Sequence, residues 1–209
     1  MIVGVTGQKG SGKTRLLVKL GKENHTAGRR VISNFDLGFP HERIEDIQDA
    51  KEELHDAVVL LQEVHTLVDS RNSMEKGRLN WTYFFLETRK IDVDLIWDSQ
   101  FFNQPDTRLR NATDIVIEAR ATAWEIRDGR AWATEFEYTA KRPDGATVTW
   151  QDKLGDEVAL YNTREVSRQG GANPFMKPVP TKVKSKEKKS KPKARISLSK
   201  LAASLASKY

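Results

Sequence analysis

Cysteine is absent from the 209 residues, which excludes disulfides and any thiolate metal site and fits a reducing compartment. Histidine occurs four times, at scattered positions, which argues against a zinc site. No apolar run approaches the roughly 18 residues of a membrane-spanning helix. Met1 leads straight into Ile2-Val3-Gly4-Val5 without a basic stretch or a cleavage site, so neither a membrane span nor a secretion signal is expected. Between Phe175 and Tyr209 there are no aromatic residues, which removes base stacking as a use for that segment.

What remains is a chain that is 38% hydrophobic and 31% charged, compatible with a packed core and a well-solvated surface. Its length suits one α/β domain with some residues left over. The net charge of +6 is unevenly spread. Lys177 to Tyr209 carries eleven Lys or Arg and a single acid, Glu187, a local charge of +10 that leaves −4 for residues 1–176. The basic character therefore belongs to a tail and not to the folded part.

Over the first 120 residues, short β-rich runs alternate with helical periodicity, the pattern of a parallel sheet flanked by helices. Strands are expected near 2–6, 29–33, 57–62, 94–99 and 113–118. Helices are expected at about 12–24, 42–54, 77–90 and 104–111, where apolar residues recur at three and four. After Arg120 the pattern becomes antiparallel: Asp128-Gly129 between alternating segments signals a hairpin, and a further extended piece covers Ala146 to Gln151, with Val158–Tyr161 as a candidate return to the sheet. The expected organisation is an α/β domain over 1–167, with a hairpin addition at about 121–151, and a basic segment over 168–209 that lacks the apolar content to fold alone. Ile196, Leu198, Leu201 and Leu205 leave room for a short helix near the end.

Gly7-Gln8-Lys9-Gly10-Ser11-Gly12-Lys13-Thr14 matches Gly-x4-Gly-Lys-Ser/Thr, the Walker A loop, between an apolar strand and a helical pattern. Glycines allow backbone amides to turn toward phosphates, Lys13 reaches the β- and γ-phosphates, and the Thr14 hydroxyl ligates Mg²⁺. With Arg15, which follows at once, Gly7 to Thr14 form the expected nucleotide-binding set, and the cofactors implied are ATP and Mg²⁺.

Such a site also needs an acid at the end of a second buried strand. Val58-Val59-Leu60-Leu61-Gln62-Glu63 supplies that strand. Two acids are usual here, but the first position is Gln62, which brings no charge and reaches the metal only through water. Glu63 is the candidate general base. The strand Asp94-Leu95-Ile96-Trp97-Asp98-Ser99-Gln100 ends in an amide, Gln100, suited to sensing the γ-phosphate.

This constellation resembles the FtsK/HerA superfamily of P-loop motor ATPases, and within it small viral genome-packaging ATPases and zonula occludens toxin-like phage proteins. The resemblance spans roughly 1–165. It rests on Gly7–Thr14, Val31-Ile32-Ser33-Asn34, Leu60-Leu61-Gln62-Glu63-Val64-His65, Asp69-Ser70-Arg71, Glu87-Thr88-Arg89-Lys90, Gln100, Asp106-Thr107-Arg108-Leu109-Arg110 and Leu160-Tyr161-Asn162-Thr163-Arg164-Glu165. It implies a RecA-like (ASCE) fold, Glu63 as catalytic acid, Gln100 as sensor, and a ring, a hexamer by analogy, that threads double-stranded DNA. Ring motors complete the site with an arginine from the neighbouring subunit; Arg71, Arg89, Arg108 and Arg110 are candidates, with Arg89 and Arg110 favoured by their place in the pattern. Gln62 departs from the family's Asp.

The leading expectation is a viral genome-packaging ATPase in the host cytoplasm or associated with the virion, partnered by DNA and by capsid or portal-vertex proteins. A phage assembly or extrusion ATPase is the alternative, although those proteins usually carry a membrane span. A small-molecule kinase shares the phosphate loop but needs an acceptor pocket and an Arg-rich lid, where this chain has a hairpin. A nucleotide-dependent DNA-binding or partition protein is a further class. The basic tail suits either salt-dependent contact with phosphate backbone or a solvated segment that docks on an acidic partner.

Overall fold

The computed structural model describes residues 1–44, 54–67, 160, and 81–155 other than 82, 86, 89 and 128. Its elements are β1 (Ile2–Thr6), α1 (Lys13–Thr26), β2 (Arg30–Ser33), β3 (Glu42–Arg43), β4 (Ala57–Leu61), a 3₁₀ turn (Val64–Thr66), β5 (Val93–Ser99), α2 (Thr107–Ala112), β6 (Ile115–Arg127), β7 (Arg130–Lys141) and β8 (Thr147–Lys153). Helical backbone is also present at residues 81, 83–85 and 87.

One eight-stranded sheet runs in the order β3-β2-β4-β5-β1-β6-β7-β8. Strands β3 to β6 in that order pair in parallel, and β7 and β8 are added antiparallel. The central strands are apolar on both faces because helices cover both. Val58 and Leu60 of β4, with Val3, Val5, Ile96 and Ile117, pack against Leu16, Leu17 and Leu20 of α1. The alternate residues Val59 and Leu61, with Leu95 and Trp97, face Trp81, Phe84, Phe85 and Leu109 on the other side. Successive residues of a strand thus serve two different cores.

The five parallel strands expected from the sequence are present, as is the switch to antiparallel pairing. One detail differs. A helix was expected from about residue 42, but Glu42 and Arg43 form β3: they pair with Ile32 and Ser33, and the Arg30 guanidinium holds Glu42 with two hydrogen bonds of 2.9 and 2.8 Å. Residues 45–53 lie outside the described set. The antiparallel addition expected at about 121–151 lies at one edge of the sheet, and its first strand is shared with the core. β6 continues from the parallel core straight into it as one strand of 13 residues, with register shifts at Ala121/Ala123 and Ala123/Trp124 where it leaves the core. Bulges bend a strand and increase its twist, which suits that exit point.

The expected basic segment at 168–209, most of the candidate return at Val158–Tyr161, and much of the helix expected at 77–90 lie outside the described residues. Among the described residues no helix is long and apolar enough to cross a membrane.

Candidate nucleotide site

The phosphate loop leaves β1 at Gly7 and enters α1 at Lys13. Gly7 and Gly12 adopt φ of 144° and 91°, regions in which residues with a Cβ are strained. Space excludes a side chain as well: a Cβ on Gly7 would lie 2.3 Å from the Ala119 carbonyl oxygen, and one on Gly12 would lie 2.5 Å from the Phe136 ring. The loop is anchored from below, where the Gly7 amide donates to the Gln100 carbonyl at 3.2 Å, and from the side, where the Tyr138 hydroxyl donates to the Gly12 carbonyl at 3.1 Å.

Lys13 is buried in the loop, its ammonium donating to the Gln8 carbonyl at 3.1 Å. The Ser11 hydroxyl is buried and makes no hydrogen bond. A buried hydroxyl without a partner is costly, and a phosphate oxygen in the cradle would relieve it. The Arg15 side chain takes another direction. It is 1% exposed, stacks over the Phe136 ring, and donates to Asp152 (3.0 Å), to Tyr138 (3.4 Å) and to the Lys153 carbonyl. It ties α1 to the added hairpin, so of its groups only the backbone amide remains for a nucleotide.

Strands β4 and β5 run side by side with Leu61 opposite Trp97, which sets Gln62 and Glu63 at the level of Asp98. Three contacts meet here. The Thr14 hydroxyl donates to Asp98 Oδ2 at 3.3 Å, the Gln62 amide Nε2 donates to Thr14 Oγ1 at 3.3 Å, and the Glu63 backbone N–H donates to Asp98 Oδ1 at 2.7 Å. Asp98 is fully buried, and that burial pushes its carboxyl up to about 7 despite the opposing pull of the Glu63 amide, the Lys13 ammonium and the Thr14 hydroxyl. Asp98 is a site residue that the sequence motifs do not mark. Its signal was a charged residue inside an otherwise apolar strand, an arrangement a core does not tolerate without a reason.

Glu63 sits at φ 51°, ψ 46°, the left-handed region, where a non-glycine residue is held only by its surroundings. Its carbonyl accepts from the Thr66 amide (2.8 Å) and hydroxyl (2.9 Å). Asn34, at the end of β2, brackets the preceding residue: its Nδ2 donates to the Gln62 carbonyl (2.9 Å), and its Oδ1 accepts from the Gln62 amide N–H (2.8 Å). The Glu63 carboxylate lies 3.4 Å from His65 Nε2, and His65 Nδ1 lies 3.3 Å from the Ser99 hydroxyl, which donates to Gln104 Oε1 at 2.7 Å. His65, Ser99 and Gln104 thus line up behind the carboxylate.

The structure brings together Gly7 to Thr14, Gln62, Glu63 and the Gln100 backbone. Arg110 lies on α2, where its guanidinium donates to the Pro105 carbonyl (3.1 Å) and the Thr107 hydroxyl (2.8 Å) of its own helix start. Arg108 is exposed on the same helix, and Arg71 and Arg89 lie outside the described residues.

Around Thr14 the oxygens are its own hydroxyl and the Asp98 carboxylate, of the hard kind that Mg²⁺ prefers, while Gln62 turns its amide nitrogen there. Among the described residues no cluster of three or more His, Asp or Glu could hold a metal unaided. A cleft of about 520 Å³ lined by Ile2, Phe85, Asp114 and Arg142 opens where β1 and β6 begin, the end of the sheet away from the phosphate loop.

No family model matches the chain, and no curated protein does. Solved structures do share its fold. The N-terminal domain of zonular occludens toxin from Neisseria meningitidis superposes with a TM-score of 0.53 at 20% identity, over 77% of this chain and 98% of that one. The genome packaging NTPase B204 from Sulfolobus turreted icosahedral virus 2 in complex with ATP-gammaS gives 0.51 at 12% identity, over 73% and 97%. The same protein with sulfate gives 0.50 at 11%, over 71% and 94%. The chain thus has the mixed α/β fold of P-loop NTPases, with a mainly parallel sheet flanked by helices, and its structural neighbours are of the two kinds that the motifs resemble.

Proposed function

We propose that this protein is an ATP-hydrolysing motor that moves double-stranded DNA, of the genome-packaging kind. The observation that carries hydrolysis is the convergence of the phosphate loop, Thr14, Asp98 and Glu63 at the ends of three neighbouring parallel strands. The packaging reading draws its support from the fold shared with a viral genome-packaging NTPase and from the Glu63-Val64-His65 segment.

In this reading the loop amides and Lys13 bind the β- and γ-phosphates, and Ser11 finds in them the acceptor it lacks. Glu63 orients and deprotonates the attacking water; its left-handed backbone and the bonds from Thr66 to its carbonyl fix the residue just past the end of β4. Mg²⁺ bound at Thr14 would supply charge neutralisation of the phosphates. Gln100 adjoins the cradle through the bond from Gly7, a position suited to reporting the γ-phosphate. Arg110, or Arg89, of an adjacent subunit completes the site in a ring, which makes turnover depend on assembly.

Steady-state ATP hydrolysis with and without double-stranded DNA tests the motor. Truncation after Gly171 tests whether the basic tail is the DNA contact, since a phosphate-backbone contact weakens with salt. A phage assembly ATPase is the second reading, favoured by the likeness to the toxin domain; ATP turnover indifferent to DNA would select it.

A further inference from the structure

We infer that Asp98 supplies the carboxylate of the magnesium shell that Gln62 cannot, so that the acid of this site has moved one strand over, from β4 to β5. The inference rests on the reading of the chain as a magnesium-nucleotide enzyme and adds to it the residue that makes the metal bind.

The register makes the exchange possible. Leu61 of β4 pairs with Trp97 of β5, so the next residues, Gln62 and Asp98, lie side by side at the same height. Both reach the Thr14 hydroxyl, at 3.3 Å in each case, but with opposite chemistry. Gln62 presents an N–H donor there and carries no charge. Asp98 presents an acceptor oxygen and an ionisable group. A metal-bound hydroxyl or water turns its proton outward, and the group able to receive that proton is the carboxylate.

The two oxygens of Asp98 are divided between two tasks. Oδ1 accepts from the Glu63 backbone N–H at 2.7 Å and so helps fix the candidate base, while Oδ2 faces the Thr14 hydroxyl. A residue needed only to brace the Glu63 backbone would not have to be ionisable, since an asparagine carbonyl accepts the same bond. A carboxylate at a fully buried position is expensive unless a cation accompanies it. Lys13 is a nearby cation, and its ammonium hydrogen-bonds to the Gln8 carbonyl and not to Asp98. A divalent ion at Thr14 would add to the partial compensation that Lys13 gives.

The test is the affinity of the full chain for mant-AMPPNP, measured by fluorescence in Mg²⁺ and again in EDTA, with circular dichroism melts run alongside. The wild type is expected to bind tighter in Mg²⁺. Asp98→Asn, which keeps the brace on Glu63, is expected to bind as the wild type does in EDTA but to lose about 10- to 100-fold of affinity in Mg²⁺, the usual cost of removing a group that supports a metal ligand. Gln62→Asp in the Asp98→Asn background should restore the Mg²⁺ enhancement. Retention of the full enhancement in Asp98→Asn overturns the inference.

Should Asp98→Asn not fold, Gln62→Asp alone decides. If Asp98 already serves the shell, this change brings no gain in Mg²⁺ enhancement; a gain of about tenfold or more would mean that the shell had lacked a carboxylate. Failure of the wider reading looks different: the wild type itself would bind mant-AMPPNP equally well in Mg²⁺ and EDTA, or not at all.

Discussion

Tyr138, in the middle of β7, donates its hydroxyl to the carbonyl of Gly12 at 3.1 Å, so the antiparallel addition to the sheet is fastened to the phosphate loop. The same phenol accepts from Arg15, and its ring stacks on Phe136 and contacts Trp150. A hairpin that sequence periodicity marks only as an edge addition therefore forms one wall of the nucleotide site. Tyr138→Phe keeps the ring packing and removes the hydrogen bonds. It is expected to cost about 1 kcal/mol in urea unfolding and to weaken nucleotide binding more than it changes turnover at saturation. Equal nucleotide affinity in the two proteins would show that the loop does not depend on this anchor.

Gly7→Ala places a methyl group 2.3 Å from the Ala119 carbonyl at φ 144°. The added strain is expected to be about 1–3 kcal/mol, with loss of nucleotide binding in a titration, because the loop can relieve the clash only by moving off β6. Gly28→Ala, where a Cβ meets nothing within 4 Å though φ is +89°, is the control: it should leave binding intact.

The contacts of Arg15 set the acid limit of stability. Burial opposes ionisation of Asp152, but the hydrogen bonds from Arg15 and Lys19 outweigh it and hold its carboxyl below the usual range. Asp94 is likewise resisted by burial, yet the N-terminal ammonium and Arg29 bring it below that range. Groups with depressed folded values stabilise the protein above the unfolded aspartate pKa of about 3.9 and lose that contribution as pH falls through the folded values beneath it. Asp98, raised to about 7, works the other way, so thermal melts should rise as pH falls from about 7 to about 4 and fall steeply below. Arg15→Met removes one support from Asp152, is expected to cost about 2 kcal/mol at neutral pH, and should flatten the fall. An acid limb identical to that of the wild type would mean that the pair does not govern it.

The phosphate loop was legible in sequence because its chemistry is local: eight consecutive residues between a strand and a helix. Glu63 was legible because it ends an apolar strand. Asp98 was not, because it meets Thr14 and Glu63 only through the parallel pairing of β5 with β1 and with β4, across 84 and 35 residues of chain. The strand-terminal Gln100 stands out in sequence, but its contribution in the structure is its backbone carbonyl. Arg15 reads as part of the loop because of its position, yet α1 turns its side chain toward β8, and nothing in the local sequence says which way a helix's first turn faces. The continuity of β6 was hidden for a similar reason: its inner half alternates buried with more exposed positions and its outer half is largely exposed, so one strand reads as two.

Glu63→Gln keeps size and hydrogen bonding but removes the base. Its effect on ATP hydrolysis, measured with and without double-stranded DNA beside the wild type, tests the central claim most directly. Turnover is expected to rise with DNA in the wild type and to fall by about 10²- to 10⁴-fold in Glu63→Gln, with nucleotide binding preserved. Turnover unaffected by both DNA and the substitution would contradict the claim.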